Sequence, residues 1–109
     1  MPADKDFYEK VFEIVAMIPP GRVTTYGAIG RAAGMKSSAR MVGWAVNSAK
    51  GRGDLPCHRV VNRNGELTGR MHFATPTLMR ELLEAEGVGF AGDRVDLVRY
   101  LWIPPILEA

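Results

Sequence analysis

The sequence predicts a mostly helical α/β fold, a single small domain built around a winged helix-turn-helix. Three observations predict it. A chain of 109 residues, 47% of them apolar, is long enough to bury one modest core without disulfides or metals and too short for two domains. Apolar residues recur at helical spacing in several short stretches, two of them joined by a glycine turn. A β-branched run followed by Asn64-Gly65 reads as one limb and the turn of a hairpin.

The first helix carries Phe7, Val11, Ile14 and Ile18, with Phe12 and Val15 beside them; Asp6 is its expected cap and Pro19-Pro20-Gly21 its stop. Val23-Thr24-Thr25 is a short extended stretch. Thr25 then caps a helix from about Tyr26 to Ala33 with Ile29 and Ala33 inward, and Gly34 breaks it. Met35-Lys36 and Ser37 or Ser38 supply a turn and a new cap, and Met41, Val42, Ala45 and Val46 mark the apolar side of the next helix. Residues 25–48 thus form the helix-turn-helix, with Arg40 on the first turn of the second helix and Gly43 and Ala45 keeping its surface low. A loop at 50–54 leads into a distinct block at 55–61, and a hairpin wing is expected over about 60–68. Residues 69–75 read as a loop. Thr75 as cap, Pro76 at the first helical position, Leu78, Met79, Leu82 and Leu83 on one face, and Gly87 at the stop define a last helix. The tail is expected to return Val95, Leu97, Val98, Tyr100, Leu101 and Trp102 to the core before Pro104-Pro105 ends regular structure.

Composition narrows the function classes. The longest apolar stretch, Ile14 to Ile18, is far short of the roughly 20 residues of a membrane-spanning helix. The charged N-terminus has no apolar signal core, so a cytoplasmic protein without membrane association is expected. One cysteine and two histidines fall below the four ligands of a structural zinc site, so neither metal nor cofactor is expected, and Cys57 has a role only as a thiol. Charge is uneven. Between Pro20 and Arg70 nine basic residues face only Asp54 and Glu66, a surplus of seven, while the remainder has a deficit of five. Such a half attracts polyanions, and nucleic acid is the natural partner, although a solvated basic face without a partner reads the same way from charge alone.

The chemistry concentrates at Pro56-Cys57-His58-Arg59. A thiol attacks as thiolate, and an adjacent imidazole or cation makes that form available near neutral pH. Neighbours on a regular strand point to opposite faces, so contact between Cys57 and His58 needs a bend, which Pro56 can supply, or a bridging water. A lone cysteine is otherwise a buried structural residue, and a lone histidine a core or surface one.

At these positions the sequence resembles a known family. Ile18 to Gly27, Ala39-Arg40-Met41-Val42-Gly43, Leu55-Pro56-Cys57-His58-Arg59-Val60-Val61 and Leu82 to Gly87 are similar, in this order, to the signature blocks of the O6-alkylguanine-DNA alkyltransferase C-terminal domain. The resemblance implies a small α/β domain whose helix-turn-helix enters the minor groove of double-stranded DNA and flips an O6-alkylguanine out of the stack. It implies that Arg40 fills the vacated space and that Tyr26 pushes the phosphate and hydrogen-bonds the base. It further implies that Cys57 accepts the alkyl group while His58 draws the thiol proton through a water, oriented by Glu86. Thr25, Ser38 and Gly43 join Tyr26 and Arg40 as expected DNA contacts, and Val46, Pro56 and Arg70 join Tyr26 and Cys57 around the base. Arg70 and Phe73 are placed there only by their position after the hairpin. Arg59 is open between an ion pair and a phosphate contact.

The sequence also departs from the alkyltransferase pattern. The N-terminal domain, an asparagine shortly before the Pro-Cys-His-Arg block and the Gly-Tyr-rich loop are not in place; Ala49 holds the asparagine position, with Asn47 two residues away. These features and the tail at 96–102 resemble the alkyltransferase-like proteins, which generally carry tryptophan where this chain has Cys57 and flag the lesion for nucleotide excision repair proteins. Three functions follow: a single-turnover methyltransferase acting on DNA through Cys57, a non-enzymatic lesion sensor with Cys57 merely lining the pocket, and a plain helix-turn-helix regulator. A monomer is expected in each case. Affinity for duplex DNA is expected to fall steeply as salt is added, and a flat salt titration would contradict groove binding.

Overall fold

The computed structural model describes residues 2–34, 39–49 and 54–106. Helix α1 (Pro2–Met17) begins at Pro2, so Asp6 lies inside the helix instead of capping it. Proline is tolerated at a first helical position because the N–H it lacks has no helical partner there. Phe7, Val11, Ile14, Val15 and Ile18 form its buried stripe. The stop is a turn in which Arg22 N–H donates to Pro19 O at 3.2 Å and Gly21 takes φ +85°. A Cβ on Gly21 would lie 3.1 Å from the backbone oxygen of Glu86, which brings this turn against the end of a much later helix.

Strand β1 (Thr24–Thr25) leads directly into α2 (Tyr26–Ala32), with the Thr25 hydroxyl accepting from Ala28 N–H at 3.1 Å as the expected cap. Helix α3 (Ala39–Ser48) buries Val42, Ala45 and Val46. The Ser37 or Ser38 cap, and Ser38 as a DNA contact, lie outside the described residues. Strand β2 (Val60–Val61) pairs in parallel with β1, Thr24 opposite Val60 and Thr25 opposite Val61. That pairing corrects the expected wing. The Asn64-Gly65 turn is present, with Asn62 Oδ1 accepting from Asn64 and Glu66 N–H, yet Val60-Val61 pair with β1, and Glu66 bridges Arg94. Gly65 sits under that later segment, where a Cβ would come within 2.5 Å of Val95 O.

Helix α4 (Leu78–Ala85) starts two residues later than its Thr75-Pro76 signal, because residues 75–77 form a turn and Thr77 is the cap residue, its hydroxyl donating to Glu81 at 2.9 Å. Gly87 at φ +91° closes it, with Val88 N–H donating to Leu83 O at 3.0 Å. Strands β3 (Phe90–Ala91) and β4 (Arg94–Val95) then make an antiparallel hairpin about Gly92, an element absent from the expectation for the tail. One helical turn, α5 (Leu97–Tyr100), follows. Leu97 and Tyr100 pack inward as expected, whereas Val98 is 97% exposed, because a single turn can face the core on one side only. Leu101 bridges Val23 and Trp102 N–H donates to Val23 O at 2.7 Å; no helix or strand follows among the described residues.

Two cores result. The first joins α1, α2 and α3 and includes Val60; the second gathers Val23, Val61, Leu67, Met79, Leu83, Val88 and Val95. Adjacent residues of β2 thus serve opposite faces, as the period of a strand requires. Among the described residues no helix is long and apolar enough to cross a membrane. Leu83→Ala, at the fully buried centre of the second core, is expected to cost about 2–5 kcal/mol in denaturant unfolding, while Val98→Ala stays within about 0.5 kcal/mol of the parent.

Candidate active site

The block ahead of β2 is not a strand. Residues Cys57–Arg59 form a 3-10 turn entered through Pro56 at φ −80°, ψ 62°, with Arg59 N–H donating to Pro56 O at 3.0 Å. Cys57 and His58 are therefore not on opposite faces of a pleated strand. Val60 and Val61 anchor the turn in both cores, so its geometry is held from the C-terminal side.

A carboxylate holds it from the other side. Glu86, the residue at the C-terminal cap of α4, accepts from Arg59 Nε at 3.0 Å on Oε1 and from Arg59 Nη2 at 2.6 Å on Oε2. His58 Nε2 lies 2.9 Å from Glu86 Oε2, and Gly21 N–H donates to Oε1 at 3.3 Å. Arg59 Nη1 also donates to Ile18 O at 2.8 Å. Burial works against the charged carboxyl, but the hydrogen bonds from Arg59, His58 and Gly21 outweigh it and hold the pKa at about 2. At neutral pH Glu86 is thus an acceptor only, which makes His58 Nε2 the donor and leaves Nδ1 as the basic ring nitrogen. A carboxylate at a helix C-terminus opposes the macrodipole, and the Arg59 guanidinium offsets that cost. Arg59 is an ion-pair residue here, with its fork occupied by Glu86.

Cys57 is half-buried, with Sγ 4.0 Å from Val46 O. It lines a cavity of about 560 Å³ together with His58, Tyr26, Val46, Pro56 and Phe73. That size lies within the roughly 300–1,000 Å³ of small-molecule sites. Burial raises the pKa of the Tyr26 hydroxyl and nearby Cys57 adds to this, against the opposing effect of a hydrogen bond with Thr68. Gly69 leaves room for that hydroxyl, since a Cβ there would stand 3.2 Å from Tyr26 Oη. A second cleft of about 320 Å³ runs along α3, lined by Ala39, Arg40, Gly43 and Thr68. The two share Tyr26, Asn47, Gly69 and His72 as walls. Arg40 is exposed, and nothing lies within 4 Å of a Cβ built on Gly43, so this face of α3 presents low relief beside one cation.

The structure brings Cys57, His58 and Glu86 together and places Tyr26, Val46, Pro56 and Phe73 at the cavity. The Thr25 hydroxyl is committed to capping α2. Arg70 is corrected: its Nη1 donates to Leu67 O at 3.1 Å and it lines a different cleft with Thr77, Arg80 and Asp93. Residues 70–72 form a tight 3-10 turn in which side chains diverge by a third of a revolution per residue, so His72 reaches the cavity while Arg70 faces away. Asn47 and His72 were missed. Asn47 stands one helical turn after Gly43, a signal that was available; nothing local distinguishes His72. Among the described residues no three His, Cys, Asp or Glu side chains come together to hold a metal.

A helix-turn-helix whose second helix flanks a cavity lined by a thiol and an imidazole, the imidazole held from behind by a half-buried carboxylate, defines a small helix-turn-helix domain with a candidate thiol site. Residues 6–88 match the family model described as 6-O-methylguanine DNA methyltransferase, DNA binding domain, and the chain belongs to that family. A DNA base-flipping protein of Escherichia coli is 43% identical over 94% of this chain and 78% of its own length. The alkyltransferase-like protein 1 of Schizosaccharomyces pombe is 38% identical over 91% of this chain and 96% of its own. The same yeast protein, as Atl1 in complex with damaged DNA containing O6-carboxymethylguanine, superposes with a TM-score of 0.78 at 37% identity, over 90% of this chain and 95% of that one. A methylated-DNA–protein-cysteine methyltransferase of Methanosarcina acetivorans is 37% identical over 79% of this chain and 54% of its own length.

Because the Glu86 pKa is held below the ordinary 4.5, its contribution to stability is full above about pH 4.5 and is lost as the pH falls toward about 2. The stability gap between the parent and Glu86→Gln is therefore expected to narrow over that window in acid unfolding. An equal gap at both ends would contradict the ionised clamp.

Proposed function

We propose that this protein binds duplex DNA containing O6-alkylguanine, extrudes the damaged base into the cavity beside α3, and transfers its alkyl group irreversibly to Cys57. The observation that carries the reading is the chain's single thiol on the cavity wall, in the same turn as an imidazole held by a carboxylate. Arg40 on the exposed face of α3 fills the space the base leaves. Low relief at Gly43 lets the helix approach a narrow groove, and Tyr26 hydrogen-bonds the base. His58, with Nε2 donating to Glu86, takes the Cys57 proton at Nδ1, directly or through a water. Arg59 positions Glu86 and so acts through His58. Sulfur attacks the alkyl carbon as the carbon–O6 bond breaks, and the thioether product does not revert, which makes each molecule a single-turnover methyltransferase.

The resemblance to proteins named for base flipping and to an alkyltransferase-like protein favours a second reading, in which the same pocket senses the lesion without chemistry and nucleotide excision repair proteins are the partners. Intact mass after incubation with a duplex containing one O6-methylguanine separates the two. Transfer predicts the gain of one methyl group by the parent and none by Cys57→Ser, with lesion binding preserved in both. Tight lesion-selective binding with no change of mass would overturn the transfer reading in favour of sensing.

A further inference from the structure

We propose that His72 is the hydrogen-bond donor to the exocyclic oxygen of the guanine held in the cavity, a specificity residue of the site whose function is proposed above and on which it rests. Breaking the carbon–O6 bond leaves an electron pair on O6, and recognising an O6-alkylated base without chemistry also requires a donor at that oxygen. The side-chain donors along the cavity wall narrow the choice. His58 and Arg59 are committed to Glu86, with Arg59 also bonded to Ile18 O, and the Tyr26 hydroxyl, beside Thr68, is already used on the base in the function proposed above. Asn47 and His72 remain.

Position decides between them. Asn47 follows Val46, whose carbonyl is the group 4.0 Å from Cys57 Sγ, so it belongs to the wall next to the attacking sulfur. An in-line displacement puts the leaving oxygen on the side away from sulfur. His72 belongs to a separate segment, the Arg70–His72 turn, held by His72 N–H donating to Gly69 O at 3.0 Å. It is exposed, it lines both the cavity and the α3 cleft as Asn47 does, and its ring makes no hydrogen bond among the described residues. Imidazole offers an N–H in either tautomer and when protonated, so the donor is present at any pH. In the transfer step the bond from Sγ to carbon forms as the bond to O6 breaks, the pair stays on O6 against the His72 N–H, and the proton that left Cys57 for His58 returns to the guanine ring.

Binding constants of the parent, His72→Ala and His72→Gln test this on three duplexes that differ at one position: O6-methylguanine, 2-aminopurine, which lacks the oxygen, and guanine. His72→Ala is expected to lose about five- to tenfold on O6-methylguanine and to be unchanged on 2-aminopurine, and His72→Gln, which keeps a donor, to stay near the parent. An alanine variant that matches the parent on O6-methylguanine, or that loses equally on all three duplexes, would overturn the assignment. A parent that does not distinguish O6-methylguanine from guanine would overturn the function proposed above and the role of His72 with it.

Discussion

Glu86 gathers three distant parts of the chain into one site. Its carboxylate takes hydrogen bonds from the turn after α1 through Gly21, and from the active turn through His58 and Arg59, while its own backbone ends α4. With side-chain exposures of only 13% for Arg59 and 18% for Glu86, the pair is screened far less than a surface salt bridge. Removing one partner of such a part-buried pair leaves the other charge stranded away from full solvation. The clamp therefore makes the cavity wall and the stability of the fold one problem.

The rest of the architecture serves that joint. Two residues of β2 separate the cores, Val60 facing one and Val61 the other, so the turn that carries Cys57 emerges from the most constrained segment of the sheet. Gly21 and Gly87 take positive φ at the two chain ends that meet Glu86, where a side chain would either strain the turn or strike the backbone. On the far side of the cavity the Thr25 cap sets the start of α2 and so the position of Tyr26 at its first residue. Between these supports, residues 69–73 form the remaining wall, which carries His72 and Phe73.

Local chemistry was legible in the sequence. Thr25 as a cap, Gly34 and Gly87 as stops, the helical stripes of α1, α3 and α4 and the Cys57-His58 block all depend on neighbours within a few positions. What escaped depends on partners far away. Arg59 and Glu86 are 27 residues apart and Gly21 lies 65 from Glu86, so no periodicity reveals whether Arg59 serves a carboxylate or a phosphate. The limb at Val60-Val61 looked like half of a hairpin because the Asn64-Gly65 turn is strong, but a buried parallel pairing with β1 claims it. Around residue 71 the miss was one of direction: a 3-10 turn sends Arg70 and His72 to different clefts, and position after the hairpin alone assigned the cation to the wrong one.

The function proposed above makes thiol chemistry at Cys57 the property of a three-residue relay, in which the ionised Glu86 fixes the proton on His58 Nε2 and frees Nδ1 to act as base. The single cysteine allows a direct test, the rate of Cys57 alkylation by iodoacetamide near neutral pH, without DNA, in the parent and in Glu86→Gln confirmed folded by its thermal transition. The relay predicts that Glu86→Gln reacts at least about tenfold more slowly. Equal rates in the two folded proteins would show that Cys57 acts without Glu86 and would contradict it.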